Sequence, residues 1–135
     1  MIHNWNYPEG FNIENYYGFV YKITNTESNK FYIGKKIFKN TKKLPPLKGH
    51  KRKRTQIKES NWKTYWGSSK PLLEDVKNVG EGKFEKTILR LCETKKQATY
   101  WEMHYQISHE VLNKPEKTYN DNILGKFFPK DLDTQ

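Results

Sequence analysis

The chain has 135 residues, 34% of them hydrophobic, with 20 Phe, Tyr and Trp and a single cysteine, Cys92. That size suits one domain with an aromatic-rich core, and one cysteine excludes a fold stapled by internal disulfides. No stretch approaches the roughly 18 apolar residues of a membrane span, and the opening MIHNWNYPEG lacks the basic and apolar segments of a secretory leader. A cytoplasmic protein with no membrane partner is expected.

The net charge of +10 is localised. Residues 1–60 carry +9 and residues 61–135 carry +1, and the segment KKIFKNTKKLPPLKGHKRKR at 35–54 holds ten Lys+Arg and no acid. Clustered cations bind polyanions by releasing condensed counterions, so a nucleic-acid partner is the natural inference. A solubilising loop or a nuclear localisation signal has the same composition.

Along the chain, residues 1–15 read as an arm broken by Pro8 and Gly10. From Tyr17 the sequence alternates, with Phe19, Tyr21 and Ile23 on one face and Val20 on the other. TNTESN is a turn, and Phe31 to Phe38 a second strand. In the hairpin so formed, a register setting Tyr21 opposite Tyr32 places both phenols on one face, with Gly34 and Lys36 further along it. Residues 39–60 form a long basic insertion with Pro45, Pro46 and Gly49, expected to be mobile rather than packed. The aromatic cluster Trp62, Tyr65 and Trp66 follows. Ser68 or Ser69 then caps a helix from about Lys70, with Leu72, Leu73 and Val76 toward the core and Gly80 as its stop.

KFEKTILRLC reads as a third strand, and Thr94 with Gln97 resembles a capping box opening a helix from about Lys95 to Leu112. On that helix Tyr100, Met103, Ile107 and Val111 form an apolar stripe, while Glu102, Gln106 and His109 form a separate polar one. Pro115 ends the helical region, and residues 123–135 are an irregular, partly apolar tail. The order β, β, helix, β, helix predicts a single α+β domain over 1–135, with a small three-stranded antiparallel sheet flanked by helices.

Taken alone, Tyr21 and Tyr32 read as core residues and Glu102 as a solvated helical glutamate. No Cys/His set has zinc spacing and no glycine-rich loop cradles phosphate. The combined pattern says more. Phe19-Val20-Tyr21 and Tyr32-Ile33-Gly34, ten residues apart, resemble the paired tripeptides of the GIY-YIG nuclease family. The resemblance runs from about Tyr17 to Asn122. It is nearest to compact phage-encoded and restriction-type members, through YIGKK at 32–36 and the later Trp62, Tyr65 and GSSK at 67–70. The chain departs from the family in having Phe19 at the first glycine, with Gly18 one place earlier, and in having its first arginines inside the insertion.

The resemblance implies a metal-dependent DNA endonuclease. Glu102 would hold one Mg²⁺ or Mn²⁺, and Arg52 or Arg54 would stabilise transition-state charge. Tyr21 would act as general base or position the attacking water, and Tyr32 would bond to phosphate or to that water. A phenol with pKa near 10 needs a nearby cation to act as a base; Lys36 would supply it, with Lys35 as substitute. Asn120, after Tyr119, matches the family's terminal YN, with Asn122 the other choice. Lys35, Lys48, Lys51 and Lys53 would contact DNA, expected to be double-stranded, and two copies would make a double-strand break. The alternative is a non-catalytic nucleic-acid-binding module, with the tyrosines, Trp62 and Trp66 stacking on bases and the basic loop tracking phosphates.

Overall fold

The computed structural model describes residues 3–132. Its first two strands, β1 (Gly18–Asn25) and β2 (Phe31–Ile37), form the expected hairpin, and the third, β5 (Phe84–Cys92), pairs with the other side of β1. The sheet order is β2-β1-β5 and both pairings are antiparallel. β1 is therefore the central strand, and its first four residues, Gly18 to Tyr21, are all buried. A strand covered on both faces accepts an unbroken apolar run, which is why alternation is weak there.

The two sheet faces carry separate cores. On one, Phe19, Tyr21 and Ile23 meet Phe38, Trp62 and Leu72; on the other, Val20, Ile33 and Cys92 meet Ala98, Val111 and Ile123. Each large aromatic removes roughly 150–250 Å² from water, an upper-limit gain of about 4–6 kcal/mol apiece at the usual area coefficient. Few aliphatic residues are then needed. The first core also takes in Trp5, whose Nε1–H donates to the Trp62 carbonyl at 2.6 Å. Asn6 exchanges backbone hydrogen bonds with Lys86 and Ile88 of β5. The arm is thus strapped to the sheet, a role its broken pattern did not reveal.

Helix α1 (Lys70–Val79) begins at Ser69, whose hydroxyl accepts from the Leu72 N–H, and stops at Gly80. Leu72 and Val76 are buried but Leu73 is exposed, so the core stripe is narrower than expected. Helix α2 (Lys95–Ser108) starts at the Thr94 cap, with the Thr94 hydroxyl accepting from Gln97 N–H and the Gln97 side chain accepting from Glu93 N–H. It ends at His109, short of Leu112.

Two expectations are corrected. The insertion is not a loose loop: β3 (Lys39–Leu44) and β4 (Arg54–Glu59) pair as an antiparallel ribbon, joined by residues 45–53. Backbone pairing satisfies the inward-facing polar groups of each strand, and solvent can take the outward ones, even though few of its side chains touch the body. The apolar stripe of α2 also faces the core only in part, with Met103 against the second core and Val111 buried. Tyr100 is 56% and Ile107 59% exposed, whereas Gln106 is 5% exposed and Glu102 half-buried. Among the described residues no helix is long and apolar enough to cross a membrane. Residues 133–135 of the tail and 1–2 of the arm lie outside the described residues.

Candidate active site

The inward turn of the polar stripe of α2 follows from the position of β2 at the sheet edge. Its alternate N–H and C=O groups point away from β1 and need partners. The side chain of Asn120 bonds both polar groups of Ile33, and Gln106 Nε2 donates to the same Ile33 carbonyl at 3.0 Å. Tyr119 N–H donates to the Phe31 carbonyl at 2.7 Å, and Ser60 Oγ to the Ile37 carbonyl at 2.6 Å. The Lys35 N–H lies close enough to the Glu102 carboxylate to pull its pKa down. α2 therefore lays Ala98 and Met103 on the apolar sheet face while its polar stripe turns inward over the strand edge. Gln106 is the site residue that sequence reasoning missed; the polar stripe it shares with Glu102 was the available signal.

On the other side of the same strand lie the phenols. The register differs from the one expected: Tyr21 pairs with Gly34, and Tyr32 with Ile23. A shift of two residues preserves the face, where a shift of one would have reversed it. Tyr21 and Tyr32 are diagonal neighbours with ring centroids 6.1 Å apart, and Tyr65 stands edge-on to Tyr21 at 6.1 Å. The Tyr21 ring crosses directly over Gly34. A Cβ there would lie 2.5 Å from Tyr21 Oη and 2.7 Å from Cζ, so the strand needs glycine. Gly67, at φ +85°, closes the other side, where a Cβ would come 3.2 Å from the same hydroxyl.

Burial drives the Tyr21 pKa well above that of a free phenol, and the Tyr32, Tyr65 and Glu102 charges add to it. Tyr32 is raised by burial too, with the Ser68 hydroxyl opposing the shift and Glu102 reinforcing it. Both hold their protons more tightly than a free phenol. Lys36 lies on the tyrosine face with its Nζ 4.0 Å from the centre of the Tyr65 ring, and burial lowers its pKa. Lys35 points to the α2 side, where Nζ donates to Thr99 Oγ1 at 2.9 Å. Burial raises the Glu102 pKa, while the Lys35 charge and its backbone N–H pull it down.

Tyr32, Glu102, Gln106, Asn120, Asp121, Asn122 and Leu124 line one polar cleft of about 160 Å³. Among the described residues no three His, Cys, Asp or Glu side chains cluster as a closed metal cage. The cleft instead offers hard oxygen donors around one half-buried carboxylate, together with a buried Gln106 Oε1 that has no partner. That donor set fits a hard divalent ion completing its shell with water and phosphate oxygens, not a soft metal.

The structure thus brings Tyr21, Tyr32, Lys36, Glu102 and Asn120 around β2, with Lys35 beside them. Arg52, Arg54, Lys48, Lys51 and Lys53 are all exposed on the ribbon and its tip, outside the lining of the Glu102 cleft. The stacking alternative loses two of its platforms, because Tyr21 is 1% exposed and Trp62 fully buried. Trp66 packs edge-on against Phe84 and beside Lys86.

A hairpin that presents two phenols to a carboxylate across a capped strand edge, on a small α+β scaffold, is the arrangement that the resemblance to a nuclease family implies. A family model described as "Putative endonuclease segE, GIY-YIG domain" matches residues 2–123, and the chain belongs to this GIY-YIG family. No curated protein and no solved structure matches the chain. The family is one of endonucleases, so nucleic acid is the substrate class.

Proposed function

We propose that this chain is a metal-dependent DNA endonuclease of compact phage-encoded or restriction type that hydrolyses phosphodiester bonds in duplex DNA. The observation that carries this is the placement of Glu102 in one cleft with Tyr32, close enough across the β2 edge for its charge to act on Tyr21 as well. A carboxylate there repels phosphate unless a cation intervenes, and Glu102 would hold one Mg²⁺ or Mn²⁺. When bound, such an ion supplies Lewis-acid polarisation of the phosphate and an acidified water.

The chain's own groups do the rest. Tyr21, fixed between Gly34 and Gly67 and held protonated by burial, serves better to orient the attacking water than to deprotonate it. Tyr32, less buried, reaches the phosphate or that water. Lys36 adds positive charge on the tyrosine face, and Arg52 or Arg54 neutralises the phosphate once the ribbon lies along DNA. Asn120 fixes the main chain between Tyr32 and Gly34 through Ile33. One such site cuts one strand, so a double-strand break takes a homodimer.

The test is cleavage of supercoiled plasmid with Mg²⁺ or Mn²⁺ by the wild-type chain and by Glu102→Gln, Tyr21→Phe and Lys36→Ala, each checked for folding. Metal-dependent nicking that disappears in the Glu102 and Tyr21 variants is expected. A wild-type chain that binds plasmid yet cuts it with neither ion would overturn the proposal.

A further inference from the structure

We propose that the β3–β4 ribbon is a major-groove arm that selects the DNA sequence, with Asn40, Gln56 and Arg54 as its base-reading side chains. This rests on the reading of the chain as a DNA endonuclease, with Arg52 rather than Arg54 as the arginine that neutralises the phosphate.

All six residues of β4 and the four central residues of β3 are exposed. A two-stranded ribbon that buries no core of its own is marginal in water, so its side chains are arranged for something outside the molecule. Six residues at about 3.4 Å each make an arm roughly 20 Å long with strands under 5 Å apart. That ribbon fits a major groove about 12 Å wide.

The register sorts the side chains onto two unlike faces. Lys39 opposite Glu59, Thr41 opposite Ile57 and Lys43 opposite Thr55 share one face. Its root is engaged within the molecule, Lys39 with Glu14 and Glu59 with Lys63, and Lys43 donates to Thr55 Oγ1 at 3.3 Å. The other face pairs Asn40 with Lys58, Lys42 with Gln56 and Leu44 with Arg54. Among the described residues its side chains make one hydrogen bond to the protein, from Arg54 Nε to the Pro45 carbonyl at 3.2 Å, which leaves the rest of the guanidinium fork free.

Residues 39–58 contain nine Lys+Arg and no acid, so the arm is drawn to phosphate whichever face it presents. Lysines alone would serve that purpose. Neutral amides add little to phosphate attraction and asparagine is a poor strand former, yet Asn and Gln are the side chains that bond an adenine edge bidentately, as Arg does a guanine. Their convergence with Arg54 on the face whose only side-chain hydrogen bond, among the described residues, is the one from Arg54 Nε is what base readout requires.

The experiment is selection from a randomised duplex library by full-length Glu102→Gln protein, repeated in the Asn40→Ala/Gln56→Ala background, with salt dependence of binding measured in parallel. The wild-type ribbon should enrich specific base pairs, each about fivefold to a hundredfold over its alternatives. In the double variant that preference should fall below about twofold at the adenine positions, with the salt slope retained because no charge is removed. Methylation of guanine N7, a major-groove atom, should interfere with wild-type binding, a check independent of any variant. An unchanged preference in the double variant, or no N7 interference, overturns the proposal. Salt-sensitive binding without any preference overturns it and leaves the endonuclease reading standing, whereas failure to bind duplex at all sinks both.

Discussion

The side chain of Asn120 closes on the main chain of Ile33 from both ends: Oδ1 accepts from the Ile33 N–H at 2.9 Å and Nδ2 donates to its carbonyl at 2.9 Å. Ile33 lies between Tyr32 and Gly34, so this clamp sets the strand from which the site is built. Thr118 Oγ1 in turn donates to Asn120 Oδ1 at 3.1 Å, holding the amide in that orientation. Asn120→Asp keeps one bond and sets a carboxylate oxygen against the Ile33 carbonyl. A loss of about 1–3 kcal/mol is expected in urea denaturation, together with a loss of cleavage. Undiminished stability would show that the clamp contributes nothing to the fold.

Gly34→Ala tests the contact that positions Tyr21. The added methyl would lie 2.5 Å from the Tyr21 hydroxyl and 2.7 Å from Cζ, well inside contact distance, and both the strand and the buried ring resist moving. Overpacking of this kind costs typically about 1–3 kcal/mol. The variant should also cleave no better than Tyr21→Phe, because the hydroxyl is displaced even though it is present. Wild-type activity in folded Gly34→Ala protein would show that the ring has room to yield.

Glu102 gives a pH dependence whose sign is fixed by its burial. Its folded pKa is raised, so below the ordinary carboxylate range it is protonated in both states and costs nothing, and above its folded pKa the full cost of the buried charge appears. In metal-free buffer Glu102→Gln should therefore melt higher than wild type at pH 7, with the difference disappearing near pH 4. A variant less stable than wild type at neutral pH would contradict this. Mn²⁺ affinity, followed by calorimetry, should weaken on acidification sooner than for an exposed carboxylate.

Lys86 behaves in the opposite sense. It is 3% exposed, with its ammonium 4.2 Å from the Trp5 ring centre and 4.4 Å from that of Trp66, and it donates to Asn4 Oδ1 at 2.8 Å. Burial pushes its pKa down to about 8, with Glu81 opposing. Between that value and the unfolded pKa of about 10.4 the unfolded chain binds more protons, so stability rises with pH across this window. Wild-type protein should gain on the order of 1 kcal/mol from pH 8 to 9.5 relative to Lys86→Met, measured by denaturant titration. Parallel curves for the two proteins would sink the prediction.

Local sequence determined the elements themselves. Alternation around Phe19, Tyr21 and Ile23, the Ser69 and Thr94 caps and the Gly80 stop each act within a few residues, and each appears in the structure. The two tripeptides, carried on that hairpin, sufficed to indicate the family. Three features were decided only by tertiary structure. Which stripe of α2 faced inward depended on its packing over an open strand edge, whose orphan N–H and C=O groups prefer Glu102 and Gln106 to Tyr100 and Ile107. The basic segment carried no apolar alternation to announce β3 and β4, because a ribbon exposed on both faces has no buried side to encode. The hairpin register hung on the loop from Asn25 to Lys30, where Asn29 takes a left-handed φ of 64°, and not on the tyrosine pattern, which two registers satisfy equally. Period and capping are local properties of a sequence, whereas the partner an edge, a face or a register finds is settled only when the chain closes on itself.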